Sequence, residues 1–193
     1  AVHYLRELEK KELEIETIIE NMYFTYSSSS DQFMTIAKFR AARRLWMQIT
    51  KECGATPENQ KQNQHAVTST MTIDKKDPWF NSFKATVAAF SAGIGGAESI
   101  TVIPFSLSDE VSGGESERRI ARNTQLLLAE ESHIGRVIDP AGGSWFVENL
   151  TEHLAQKSWD TFQQIESFGG ISQVLNNEQK IEELLKIRGS SHD

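Results

Sequence analysis

Four short β-prone runs, each followed by a stretch of helical length and periodicity, set the limits on this fold. They are Tyr23 to Ser27, Ala66 to Met71, Ser99 to Ile103 and Gly135 to Ile138. Strands that alternate with helices predict an α/β chain with a parallel sheet covered on its outer face. A closed (β/α)8 barrel holds eight such units in ~250 residues, and strand starts here recur every ~35–40 residues, so four units make half a barrel. Four strands alone leave open edges and an unfilled interior. An upstream segment or a second copy of the fragment would complete them. The competing fold is a flavodoxin-like open sheet, with helices on both faces.

The helices are punctuated by recognisable signals. Residues 4–21 read as one helix, dense in Glu and Lys. Four serines and Asp31 supply an N-cap for a helix over 32–52, with Phe33, Ala37, Ala41, Leu45 and Ile49 as an i+4 ladder. Gly54 to Gln64, with Pro57, reads as a loop. Asp77-Pro78 opens a helix that should bury Phe80, Phe83, Val87 and Phe90 or Ile94, and Gly93, Gly95 and Gly96 end it. Phe105 to Ser116 is a Ser/Gly/acidic loop. Helices near 116–131, 145–167 and 171–187 complete the expected set.

Composition narrows the function. The chain has 193 residues, 38% hydrophobic and 24% charged, enough for one soluble domain or part of one. It contains no apolar run of membrane-spanning length. Ala1-Val2-His3-Tyr4 has neither a signal-peptide layout nor an initiator Met, so the chain reads as a piece of a longer one. A net charge of −7 argues against nucleic acid, which wants a basic footprint. The single cysteine, Cys53, rules out an internal disulfide and fits a reducing cytoplasm or organelle matrix. It reads as a packed thiol at a helix end rather than a nucleophile.

Two segments are worded more specifically than their physics requires. Asp139-Pro140-Ala141-Gly142-Gly143-Ser144-Trp145-Phe146-Val147-Glu148 makes a tight, φ-permissive turn, after which Ser144 can cap a helix. Ile120-Ala121-Arg122-Asn123-Thr124-Gln125 precedes it. Both resemble the adenosylcobalamin-dependent acyl-CoA mutases, the methylmalonyl-CoA mutase family above all. The segment Ile36 to Trp46 is similar too, as are His65 with Thr68-Ser69 and Asp77 to Asn81, Val87 to Gly96, and Leu150 to Gly170. The likeness covers residues 20–170. It implies the second half of a TIM-type barrel whose complete domain binds an acyl-CoA thioester. The family's cobalamin-binding Asp-x-His-x-x-Gly string lies in a separate C-terminal domain and is absent from this chain.

In barrels of this kind chemistry collects at the C-terminal ends of the strands. The candidates there are Asn21 to Tyr23, His65 to Ser69, Glu98 with Pro104 to Ser108, and Asp139. His65 leads, because the resemblance implies that a histidine at this place helps to position the acyl-CoA. Its other reading is a strand-entry histidine satisfied by a neighbouring loop. Three positions depart from the family's catalytic chains. Val67 stands where they carry Gln, and Asn21 where an Arg grips the CoA phosphates. Ser106-Leu107 or Leu107-Ser108 replaces their Asp-Glu pair, which Asp109-Glu110 restores only with a larger shift. An amide forfeits the bidentate contact that Arg makes with phosphate.

The remaining polar features read as structural. Arg40, Arg43 and Arg44 form a solvated or salt-bridged helix face rather than a phosphate patch. Gly93, Gly95 and Gly96 close a helix and make no dinucleotide fingerprint. His133 and His153 lack metal-ligand spacing. The resemblance implies a non-catalytic small subunit that pairs with a catalytic mutase chain as a heterodimer. The holoenzyme would use adenosylcobalamin, with no cofactor held by this segment. A working mutase with another acyl preference, in which His65 touches the thioester, is the alternative.

Overall fold

A computed structural model describes residues 1–71, 73–74, 77–105 and 114–189. Within them three strands form one parallel sheet in the order β1-β2-β3: β1 (Tyr23–Ser28), β2 (Asn63–Thr68) and β3 (Ser99–Thr101). The connections are α3 (Gln32–Glu52), a 3-10 turn at Pro57–Gln60, and α4 (Pro78–Ile94). The register pairs Thr25 with His65 and His65 with Ser99; one step on, Tyr26, Ala66 and Ile100 align.

Side chains alternate across a strand, so this register sorts the sheet into two unlike faces. Phe24, Tyr26, Ala66 and Ile100 share the face under the helices. The Phe24 ring meets Trp46 edge-on at 4.7 Å, and Tyr26 meets Phe39 at 5.7 Å. Phe39, Ala66 and Ala92 are fully buried there. Tyr23, Thr25 and Ser27 point the other way and are exposed, in line with half-buried Asn63, His65 and Val67. Both helices lie on one face, unlike the two-faced cover of a flavodoxin-like sheet.

Local chemistry explains the element starts. The Asp31 carboxylate accepts from the Met34 amide at 3.2 Å, and Asp77 caps α4 through the Phe80 amide at 3.0 Å. Each satisfies a donor that a helix start leaves free. The buried stripe of α4 differs from the expected one. It consists of Asn81, Ala88, Ala89, Ser91 and Ala92, whereas Phe80 and Phe83 are exposed. Small residues let this helix approach the sheet closely. On α3 the buried set includes Ile36, Ala37, Phe39, Ala41 and Trp46, while Phe33 is exposed.

Three expected elements are broken. The first helix divides into α1 (Val2–Glu9) and α2 (Ile15–Glu20), with Glu12 left-handed between them at φ 63°. The bend lets Leu5, Ile18 and Ile19 converge with Trp46 in one buried cluster. Gly135 to Ile138 forms turns and bends instead of a fourth strand. Left-handed His133 and Asp139 bracket it, and Val137 and Ile138 are 62% and 98% exposed. A strand there would need a long β3 edge and an interior to bury its apolar residues; β3 is three residues long. The last expected helix becomes α7 (Ile171–Leu175) and α8 (Glu178–Gly189), split at Asn176-Asn177.

Between these, α5 (Glu115–Leu126) runs into a π-turn at Leu127–Glu131, and α6 (Trp145–Ser167) matches its expected bounds. Ser144 stands at the α6 N-cap position, but its side chain makes no capping bond. Cys53 terminates α3 and is exposed rather than packed. Partial desolvation and the Glu9 carboxylate raise its thiol pKa, which disfavours the nucleophilic thiolate.

Candidate functional site

His65 lies at the middle of the open sheet face. Both ring nitrogens are engaged: Nδ1 lies 2.7 Å from Ser99 Oγ, and Nε2 lies 3.1 Å from Thr101 Oγ1. A hydroxyl can donate or accept, so the two together can satisfy both ring nitrogens. The partners come from the adjacent strand, not from a loop. Beside them lie Thr25, Ser27 and Val67, a surface of hydroxyls and one branched apolar chain.

Among the described residues the other candidates do not converge on His65. Asn21 follows α2 and donates through Nδ2 to the Thr17 carbonyl at 2.9 Å. Asn21 and Glu98 precede their strands and Tyr23 begins β1, all at the end opposite Thr68 and Ser69. Glu98 accepts from the Gln64 amide at 2.7 Å and lies 3.7 Å from Lys61. Its role there is to brace the strand entry. Ser106, Leu107, Ser108, Asp109 and Glu110 lie outside the described residues.

At the C-terminal end of the sheet, Asn81 closes the floor. It is 3% exposed, accepts from the Asp74 amide at 2.8 Å, and donates to the carbonyls of Asp74 and Phe105. Thr68 Oγ1 accepts from the Ile103 amide at 2.8 Å. The cavity beneath, lined by Thr68, Asn81, Ala88 and Phe105 among others, holds about 10 Å³. That is room for one water and no ligand.

Asp139 belongs to a different structure. With no strand before it, it is carried to the junction of α3 and α6, where Arg40 binds both Asp139 and Glu148. Glu148 also accepts from the Gly143 amide at 3.1 Å, so the Pro-Gly-Gly turn is tied to the first turn of α6. The Gly143 bond and then Arg40 hold the Glu148 carboxyl below its ordinary range. Arg44 pairs with Glu152 at 2.7 Å one turn further along. Arg40 and Arg44 of the basic stripe are therefore salt-bridged as expected, but Arg40 is more buried than a solvated face allows, at 11% side-chain exposure.

Arg43 faces inward and reveals a polar hub that the sequence reading missed. Gln64, 1% exposed, accepts from Arg43 at 2.6 Å and donates to the Phe39 carbonyl at 2.9 Å and to Gln62 at 2.7 Å. Arg43 also reaches the carbonyls of Gly95 and Gly96. The hub joins β2, α3 and the end of α4. Its sequence signal was slight, a Gln two residues before Ala66 on the same side of a strand.

Among the described residues no group of three His, Cys, Asp or Glu side chains could hold a metal ion, and no helix is long and apolar enough to cross a membrane. His65, with both nitrogens taken, does not fit the role of a cobalt ligand. No step through a cobalamin follows from this site.

Comparison with known proteins places the chain. The methylmalonyl-CoA mutase family model matches residues 1–188. The chain is 49% identical over 174 residues to a methylmalonyl-CoA mutase small subunit of Streptomyces virginiae, covering 88% of this chain and 27% of that one. Against the small subunit of Propionibacterium freudenreichii subsp. shermanii it is 40% identical over 178 residues, covering 92% and 28%. A methylmalonyl-CoA mutase of Rhizobium meliloti is 34% identical over 178 residues, with 90% and 24% covered. The chain thus spans about a quarter of the length of the curated relatives it matches.

Proposed function

The chain belongs to the methylmalonyl-CoA mutase family, and from that premise we propose that it is a barrel segment of the family's non-catalytic small subunit. The observation that carries the reading is a parallel sheet clad, among the described residues, in helices on one face only, in a chain 40–49% identical to proteins named as small subunits. A barrel is covered outside and filled within, so the bare Thr25, Ser27, His65, Ser99 and Thr101 surface faces its interior. Both β1 and β3 pair on one side alone among the described residues. Their free edges invite the strands of the missing half. Residues 1–193 then form the C-terminal half of an acyl-CoA-type barrel, without a cobalamin-binding domain of their own.

On this reading the segment supplies scaffold and interface. The holoenzyme, a heterodimer with a catalytic chain in a reducing cytoplasm or organelle matrix, interconverts methylmalonyl-CoA and succinyl-CoA. Adenosylcobalamin, held elsewhere, supplies the radical chemistry. His65 is spent on Ser99 and Thr101, Val67 can donate no hydrogen bond to a substrate, and Asn21 is tied to its own helix.

The position of His65 on the open face favours a second reading. There the chain is part of a working mutase, and the imidazole exchanges a hydroxyl partner for an acyl oxygen. Steady-state kinetics of the assembled enzyme with His65→Ala separates the two. Unchanged kcat and KM support the scaffold; a rise in KM for the acyl-CoA moves His65 into the substrate site.

A further inference from the structure

A groove on the helix-covered side lies between β1, α3 and α6 and encloses about 420 Å³. Its α3 wall runs from Met34 through Lys38 and Ala42 to Ile49, and Phe24 of β1 and Leu154 of α6 line it as well. Between Lys38 and Ile49 the helix advances by ~16 Å, so the space is long for its volume and follows one helix axis. The lining is chiefly apolar. Ligand sites of this size are commonly apolar with a few placed polar groups.

The polar groups around it are unequal. Tyr26 and Gln62 satisfy one another, with Gln62 donating to the phenol oxygen at 3.1 Å. Lys38 is half-buried, and its ammonium donates to the Ser27 carbonyl. Among the described residues it pairs with no carboxylate, and no acidic side chain lines the groove. Burial lowers the Lys38 pKa, the direction expected of a cation short of a counter-charge. The groove thus combines an elongated apolar wall with one unbalanced positive charge.

We propose that this groove binds a straight-chain fatty carboxylate, its head group on Lys38 Nζ and its alkyl chain along α3 toward Ile49. A single ammonium balances the one charge of a carboxylate, whereas a phosphate monoester brings about two. At ~30 Å³ for each water-sized group, the groove holds about fourteen non-hydrogen atoms, the number in dodecanoate. Taking that chain out of water drives the binding, and the charge pair sets its direction. The inference needs neither the scaffold reading nor the working-mutase reading of the segment.

Titration calorimetry of the full-length protein with sodium octanoate, decanoate, dodecanoate and tetradecanoate tests the proposal. Saturable binding is expected, tightening about fourfold for each added methylene up to dodecanoate and levelling off beyond it. Lys38→Met should weaken decanoate about tenfold or more, whereas 1-decanol, which carries no charge, should bind both proteins alike. Ala42→Phe, which puts a ring into the groove, should abolish binding of both. An absence of saturable binding, an affinity indifferent to chain length, or equal decanoate affinity in the Lys38→Met protein would overturn the proposal. Should Ala42→Phe fail to fold, Lys38→Met at its half-exposed position decides alone. A protein that binds dodecanoate through Lys38 and methylmalonyl-CoA through His65 keeps this inference and discards the scaffold reading.

Discussion

Replacing Gln64 by leucine removes the hub between sheet and helices while keeping its approximate volume. Three hydrogen bonds disappear, to Phe39, Gln62 and Arg43. The two neutral bonds are worth about 1 kcal/mol each and the guanidinium bond about 1.5–3, a gross loss of roughly 3.5–5 kcal/mol. Burying a leucine returns about 1.5–2 kcal/mol, leaving a net cost of about 1.5–3.5 kcal/mol. Arg43 retains the Gly95 and Gly96 carbonyls, which limits the damage. Native-state hydrogen exchange suits a protein with several cooperative units, because it reads each region separately. With about 1.4 kcal/mol per tenfold, amide protection at Ala66 and Val67 in the full-length protein should fall about 10- to 300-fold. A fall of less than threefold would refute the claim that this network holds β2 to α3 and α4.

Two further substitutions test other joints. Gly96→Ala places a Cβ in a left-handed residue at φ 87°, 2.8 Å from the Arg43 guanidinium; it should cost about 1–3 kcal/mol by denaturant titration, and a neutral result would show that the turn relaxes. Glu148→Gln probes the acid limb. The folded carboxyl titrates below its reference 4.5, so the stability it confers is present above that pH and is lost as pH falls through the folded pKa. The variant should therefore flatten the stability profile below about pH 4.5, and an unchanged acid limb would remove Glu148 from the junction.

Much of the fold was legible because its signals are local. Asp31, Asp77 and Pro78 fix helix starts through bonds or dihedrals within one turn, and α3 and α6 begin and end where sequence places them. What escaped depends on partners distant in sequence. Leu5 to Ile19 has helical spacing throughout, but Trp46 can be reached by both halves only across a bend at Glu12. Gly135 to Ile138 has strand composition but only the three-residue edge of β3 to join and no interior to fill. Asp139 was read as a strand-end residue for that reason, and its partner Arg40 lies 99 positions away. His65 was recognisable as a candidate; its Ser99 and Thr101 partners follow only from the register of β2 with β3.

The central claim is that this segment contributes structure and interface to a mutase without binding its ligands. Calorimetric titration of methylmalonyl-CoA and adenosylcobalamin into the full-length protein, alone and with its catalytic partner, addresses it most directly. No heat of binding to the chain alone is expected, together with a stable complex once the partner is added. Binding to the chain alone, weakened by His65→Ala, would contradict it and make the protein a divergent mutase.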